Sequence, residues 1–326
     1  MAQTVPVDII NNYPDWMSKA YSSLEHKRLC DLPLPGSHDA GAYGDIRTRS
    51  QAQGLSIYRQ LLAGFRYFDF RVCVDNGAFY AVHGGDSTSN YYCAISSKRS
   101  EHGPYIFDDI KRFCIQYPKE LVVMHFSHFV GAGGQNFNPT DEGNFADLIR
   151  EYFGPMLIGE TSQIQTYGPC VSSGQRVVAI VDADSTWPDL SMLWSAERCF
   201  LDRYSNKYFD MSGGIAFNNL QAKVDYTLDD QEDYLMTGGD GHRDPNKFWV
   251  TQAVLNYAAV PHDGHSQNYY GAKELNPQFI AAYKNWRQGK LRNGNPNSRM
   301  QKPNVLLMDY AGYFLGGPAN DPLGLF

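Results

Sequence analysis

Apolar residues recur in short runs along this chain, at Leu29 to Leu34, Gly64 to Val72, Ala78 to Val82, Leu121 to Phe126, Arg176 to Val181, Gly214 to Phe217, Phe248 to Leu255 and Val305 to Met308. Short apolar runs rich in β-branched and aromatic residues predict strands. Between many of them, Ser56 to Ala63, Tyr105 to Gln116, Asp141 to Phe153 and Pro277 to Gln288 carry apolar residues at three- and four-residue spacing, which predicts helices. Asp108-Asp109 and Asp141-Glu142 fall near the starts of two of these, where a helix favours negative charge. Strands alternating with helices build a parallel sheet, and in a chain of 326 residues a closed barrel is the natural way to bury it. The expected class is therefore α/β, a single TIM-type (β/α) barrel, distorted or incompletely closed, with residues 1–326 forming one unit. No linker and no internal repeat interrupts the pattern.

Such barrels carry their chemistry at the carboxyl ends of the strands. His38 and Asp39 follow the first run, Asp69 and Arg71 close the second, His83 follows the third and Asp309 follows the last. Two histidines, carboxylate partners and an arginine are what phosphoryl transfer needs. One imidazole takes a proton, the other gives one, and a guanidinium fork matches two phosphate oxygens. A lone His-Asp pair is most often an ordinary turn, but three such pieces at successive strand ends reverse those odds.

Loops expected at the same end are long, notably Gly84 to Pro104, Val130 to Thr140, Ser185 to Leu193 and Ala258 to Pro277. Gly238 to Asp244 precedes a strand, and it is read as a turn on the opposite face. His125 and His128, three apart on a strand, point to opposite faces unless a bulge intervenes, whereas His125 and Ser127 share a face and are placed at the pocket wall. Asp182-Ala183-Asp184 has the spacing of a loop calcium pair, although a polar wall or turn is the simpler reading. Packing is likewise the simpler reading of Trp187.

These residues carry a resemblance. Pro35-Gly36-Ser37-His38-Asp39-Ala40, Gly64 to Arg71, Val82-His83-Gly84, Pro118 to Met124 and Asn304 to Tyr310 resemble, in order and spacing, the X domain of phosphatidylinositol-specific phospholipases C. The likeness is nearest to the metal-independent, X-domain-only and bacterial branch, and it spans roughly residues 28 to 315. It implies cleavage of phosphatidylinositol-type lipids to diacylglycerol and a cyclic inositol phosphate, with no cofactor and no metal. It also implies roles: His38 as base with Asp309 as its partner, His83 as acid supported by Asp39, Arg71 on the phosphate and Asp69 positioning it. Ser127, His125, Asp182 and Tyr310 are the substrate-binding candidates. Secreted bacterial members have a lysine where this chain has Ser127 and an arginine near Asp182, so the headgroup pocket is expected to differ more than the catalytic centre.

Composition narrows the rest. Hydrophobic residues make up 43% and charged ones 19%, enough for a large core. A net charge of −7 excludes the basic patches of nucleic-acid binders and gives no general pull toward anionic membranes. Contact with the lipid substrate is therefore expected to be local and peripheral. No stretch approaches the roughly 20 apolar residues of a spanning helix, and the first residues lack signal-peptide character. The expectation is a monomer, secreted after processing or soluble with peripheral membrane contact. Tyrosines crowd Asn90-Tyr91-Tyr92 and Asn268-Tyr269-Tyr270, as loops facing sugars or a membrane surface do, and as packed loops also do. Six scattered cysteines with no C-x-x-C pair indicate no zinc site and leave room for one or two bridges. Two alternatives stay open: a metal-dependent glycerophosphodiesterase or sphingomyelinase D-like barrel, and a lipid-headgroup module without turnover.

Overall fold

The computed structural model describes residues 12–43, 51–83, 91–98, 100, 103, 105–131, 134–135, 137–160, 165–182, 187–202, 220–241, 246–255 and 267–312. The described residues form ten strands: β1 Leu34–Ser37, β2 Tyr67–Asp75, β3 Ala78–Val82, β4 Tyr91–Ala94, β5 Val122–Val130, β6 Val177–Val181, β7 Trp194–Ser195, β8 Phe200–Asp202, β9 Phe248–Ala253 and β10 Val305–Met308. Eight run in the order β7-β6-β5-β2-β1-β10-β9-β8, and every neighbouring pair on that path is parallel. The sheet curls into an open barrel. No ladder joins β7 to β8 among the described residues, yet Trp194 on β7 meets Phe248 on β9 with ring centroids 6.0 Å apart.

Strand alternation sorts the core into two layers. Leu34, Tyr67, Val123, Val178, Ile180, Phe248, Val250, Val305 and Leu307 form one buried cluster, the barrel interior. Their neighbours, including Phe68, Phe70, Met124, Phe126, Ala179, Trp249, Leu306 and Met308, pack outward against the helices. Continuing the inward parity toward the carboxyl ends gives His38 just past β1, Asp69 and Arg71 on β2, His125 and Ser127 on β5, Asp182 just past β6, Gln252 on β9 and Asp309 just past β10. The interior therefore turns from apolar to polar along its axis, and all the inward polar groups collect at one end.

The opposite end is closed by a buried ion pair. Arg66 and Glu120 are both 0% exposed and 2.7 Å apart. Glu120 also accepts from the main-chain N–H groups of Met17 and Ser18, while Arg66 donates to the carbonyls of Leu61, Phe65 and Pro14. The guanidinium stacks over Phe113 at 4.7 Å. Removing one partner would leave the other charge buried and unpaired, so Arg66→Met should lower unfolding free energy by about 3–5 kcal/mol. Urea unfolding measures this, and a loss under about 1 kcal/mol would show that the pair is not a structural hub.

Several expectations shift. The run Leu29 to Leu34 is a 3-10 turn at Leu29–Asp31, and the strand begins only at Leu34. β3 is not a barrel strand but the antiparallel return arm of a hairpin on β2. Its turn is Asn76-Gly77, with φ of 49° and 76°, the conformation that Asn-Gly adopts in two-residue hairpins. Asp69 and Arg71 therefore lie within β2 rather than at its end. The helix expected over Pro277 to Gln288 runs from Gln267 to Arg287, so Asn268-Tyr269-Tyr270 is helical and not a loop. Gly238 to Gly241 ends the helix Leu220–Gly241, which the low helix propensity of its glycines had hidden. Residues 242–245 lie outside the described residues, as does the run Gly214 to Phe217. Cys30, Cys73, Cys93, Cys114 and Cys170 are buried, and no bridge forms among them.

Candidate active site

His38 sits one residue beyond β1, its main-chain N–H donating to the Met308 carbonyl of β10 at 3.0 Å. That register brings its ring against Asp309: His38 Nδ1 lies 2.8 Å from Asp309 Oδ1, and both side chains are buried. The carboxylate accepts the Nδ1 proton and leaves Nε2 as the basic nitrogen, 3.5 Å from Asp39 Oδ2. Nε2 itself has no hydrogen-bond partner.

Asp39 is the hub. It adopts a left-handed φ of 41°, uncommon for a residue with a side chain, and its N–H donates to Asp69 Oδ2 at 3.3 Å. Arg71 Nε pairs with Asp39 Oδ1 at 2.9 Å, and His83 Nε2 with Asp39 Oδ2 at 3.2 Å. The hairpin explains how His83 arrives. The Asn76-Gly77 turn sets Val82 opposite Arg71, so the next residue falls beside the guanidinium. Arg71 and His83 keep 18% and 21% of their side-chain surface exposed, against 5% for His38 and 2% for Asp309. A ligand therefore enters past the arginine and the outer histidine. Gly41 lets the loop after Asp39 press on the hairpin, since a Cβ there would lie 2.3 Å from that of Ala81.

Burial opposes charge on His38, but Asp39 and Asp309 outweigh it and raise its pKa to about 9. Asp39 is likewise penalised by burial, and Arg71 with the two histidines brings it down to about 2. Asp309 moves upward, because burial exceeds the pull of His38. The folded state therefore gains from the His38 charge below 6.5, and that gain is lost as pH rises through about 9. The Asp39 contribution is present above 3.8 and is lost as pH falls through about 2.

Asp69 faces His125 across the β2–β5 ladder, Oδ1 to Nδ1 at 3.6 Å, and burial lowers the His125 pKa. Ser127 stands opposite Arg71, with its hydroxyl 2.9 Å from His128 Nδ1. His128 does not simply point away. The β2–β5 register slips between Arg71 and Cys73, and His128 takes a φ of 52°, a bulge that keeps its ring in the neighbourhood of Asp39 and His125. Asp182 is exposed at the end of β6, whereas Ala183 and Asp184 lie outside the described residues. Tyr310, with a φ of 47°, places its ring in a separate apolar cluster with Leu55 and Ala272, against Tyr269 at 5.3 Å. Trp187 packs on Phe129 at 5.0 Å. The catalytic candidates converge, the binding candidates on β5 adjoin them, and Tyr310 stands apart.

Some polar groups at the site leave no trace in sequence periodicity. Buried Gln53, Gln60 and Asn276 donate to main-chain carbonyls of His38, Ala40 and Asp309 respectively. Among the described residues, His38, Asp39 and Asp69 are the only group of three ligand-bearing side chains close enough to share a metal, their donor atoms within 4.8 Å of one another. Arg71 already neutralises Asp39, and His38 holds its proton at neutral pH, so the charge a cation would balance is balanced within the chain. What remains is a proton acceptor, a proton donor and a guanidinium around one interior space.

An open α/β barrel with histidines, aspartates and an arginine gathered at its carboxyl end is the class this molecule represents. No family model matches the chain. The PI-PLC X-box domain-containing protein of Dictyostelium discoideum is 28% identical over 135 residues, 36% of this chain and 17% of that protein, so the match spans less than a fifth of that relative's length. The 1-phosphatidylinositol phosphodiesterase of Staphylococcus aureus (strain Newman) is 23% identical over 321 residues, 94% of this chain and 91% of that protein. Among solved structures, a variant of the phosphatidylinositol-specific phospholipase C from Staphylococcus aureus superimposes with a TM-score of 0.59 at 18% identity, covering 97% of this chain and 98% of that one. The chain has homologues among the X-domain proteins and the bacterial phosphodiesterases, and it shares the barrel fold of the bacterial enzymes.

Proposed function

We propose that this protein is a metal-independent phosphatidylinositol phosphodiesterase acting from residues 1–326 as one barrel. The observation that carries the reading is the His38–Asp309 contact of 2.8 Å, set beside Arg71 and His83 on a shared Asp39. His38 Nε2 removes the proton of the inositol 2-hydroxyl, whose oxygen attacks phosphorus. The bond from phosphorus to the glycerol oxygen breaks, and His83 protonates that oxygen. The products are diacylglycerol and a cyclic inositol phosphate. Arg71 holds the phosphate oxygens as charge grows on them, Asp39 keeps Arg71 and His83 in register, and Asp69 supports the Asp39 turn. Attack within one molecule gains the advantage of high effective concentration. Asp69, His125, Ser127 and Asp182 wall the headgroup side. No helix among the described residues is long and apolar enough to cross a membrane.

The test is phosphorus NMR of phosphatidylinositol vesicles with the protein, compared with phosphatidylcholine and sphingomyelin. The expected result is a five-membered cyclic phosphate from phosphatidylinositol alone. No water-soluble phosphoinositol would reject the substrate, and lipid binding without product, unchanged by His38→Ala, would indicate a headgroup module instead.

A pH dependence follows from His38. Reaction needs its neutral form, and the neighbouring carboxylates hold the proton to about 9, so kcat/KM of the free enzyme should keep rising above the ordinary imidazole range. Asp309→Asn should move the rising limb down, because it removes one of the carboxylates that retain the proton. A limb at the ordinary imidazole value, unmoved by Asp309→Asn, would reject the pairing.

A further inference from the structure

Gln53 is 0% exposed, and every polar atom of its carboxamide is used. Nε2 donates to the carbonyl of His38 at 2.6 Å and to that of Met308 at 3.1 Å, while Oε1 accepts from the N–H of Ala311 at 2.7 Å. One side chain therefore spans the carboxyl ends of β1 and β10 and bonds on both sides of Asp309. Its own backbone is tied down in turn, its N–H donating to the Ala42 carbonyl at 3.0 Å and its carbonyl accepting from Gln51 Nε2 at 2.9 Å. The segments it grips are under strain, since Asp39 and Tyr310 both hold positive φ, at 41° and 47°. Strained backbone of this kind persists only where its surroundings over-determine it.

We propose that Gln53 is a positioning residue for the phosphodiester reaction, fixing the approach of His38 to Asp309 by clamping the main chain that carries each of them. It touches no reacting atom. Its kinetic consequence rests on the function proposed above, whereas the contact it controls can be read without turnover.

The experiment uses the full chain with Gln53→Met, which keeps the length and loses the donors, and Gln53→Asn, which keeps the amide and cannot span both strands. Arg66→Met, at the far end of the barrel, is the control for general loosening. For both Gln53 variants, kcat on phosphatidylinositol should fall about 10- to 100-fold with KM within about twofold, as for a small misplacement of a catalytic group. NMR titration of the histidines should show the His38 midpoint falling by about one pH unit as its partner carboxylate draws away. The control should leave the His38 titration in place while lowering stability. An unchanged His38 midpoint in a folded Gln53 variant, an equal shift in Arg66→Met, or failure of both Gln53 variants to fold would overturn the positioning role. Should the unaltered protein cleave no phosphatidylinositol while the midpoint still moves in the Gln53 variants, the function falls and the positioning role stands.

Discussion

Arg71→Ala is expected to lower turnover of phosphatidylinositol by about 10³-fold or more, with no repair by added calcium. The guanidinium has two duties, and alanine removes both. It supplies positive charge at the mouth of a largely buried site, where charge growing on the phosphate is poorly screened. It also offsets Asp39, whose carboxylate lies 2.9 Å away. Without Arg71 that carboxylate would face the substrate phosphate with only the histidines to balance it. Arg71→Lys keeps the charge but loses the planar fork, and should recover only part of the rate. Wild-type activity should persist in excess chelator, since Arg71 already pairs with Asp39, one of the side chains a cation would draw on. Kinetics with chelator and with added calcium check both statements. Activity abolished by chelation and restored by calcium would instead make His38, Asp39 and Asp69 the leading ligand candidates.

The second large effect separates the two histidines. His38→Ala and His83→Ala should each reduce kcat by about 10²–10⁴-fold with the fold retained, the usual range for a general base or acid. They should part company on a substrate whose leaving group needs no proton. With a nitrophenyl ester of inositol phosphate, His83→Ala should recover much of its rate, because the departing phenolate is stable without an acid. His38→Ala should not, because the attacking hydroxyl still needs a base. The geometry sharpens this expectation: His38 is the buried ring oriented by Asp309, and His83 the more exposed ring at the entrance. Equal losses on both substrates would refute the assigned roles.

Several strand positions and the class of fold were readable from the chain itself because they rest on local physics, whereas the short strands β4, β7 and β8 were not. Val305–Met308 and Ala78–Val82 coincide with the apolar runs that announced them, and the helix Ile106–Gln116 starts one residue inside its predicted span. Asn76-Gly77 is also a local signal, since that pair favours the two positive φ values of a tight hairpin turn. Alternation with period two was enough to put His125 and Ser127 on one face. His38, Asp39, Arg71, His83 and Asp309 could be nominated in the same way, from residue type and strand ends.

Their relationships could not be read locally. That Asp309 reaches His38 depends on a parallel ladder between residues 271 positions apart. That Arg71 and two histidines share Asp39 depends on a hairpin leaving the barrel and on a backbone angle an aspartate seldom adopts. The bulge at His128 reverses what alternation predicts, because an extra residue in one strand changes its facing without changing the apolar pattern. Gln53, Gln60 and Asn276 had no signature at all. A buried amide is chosen for the carbonyls it must satisfy, and those carbonyls become neighbours only when the barrel has closed around them. Residue types and strand periods thus declared the parts and the fold, while long-range register and backbone strain decided which charges meet and which proton each one holds.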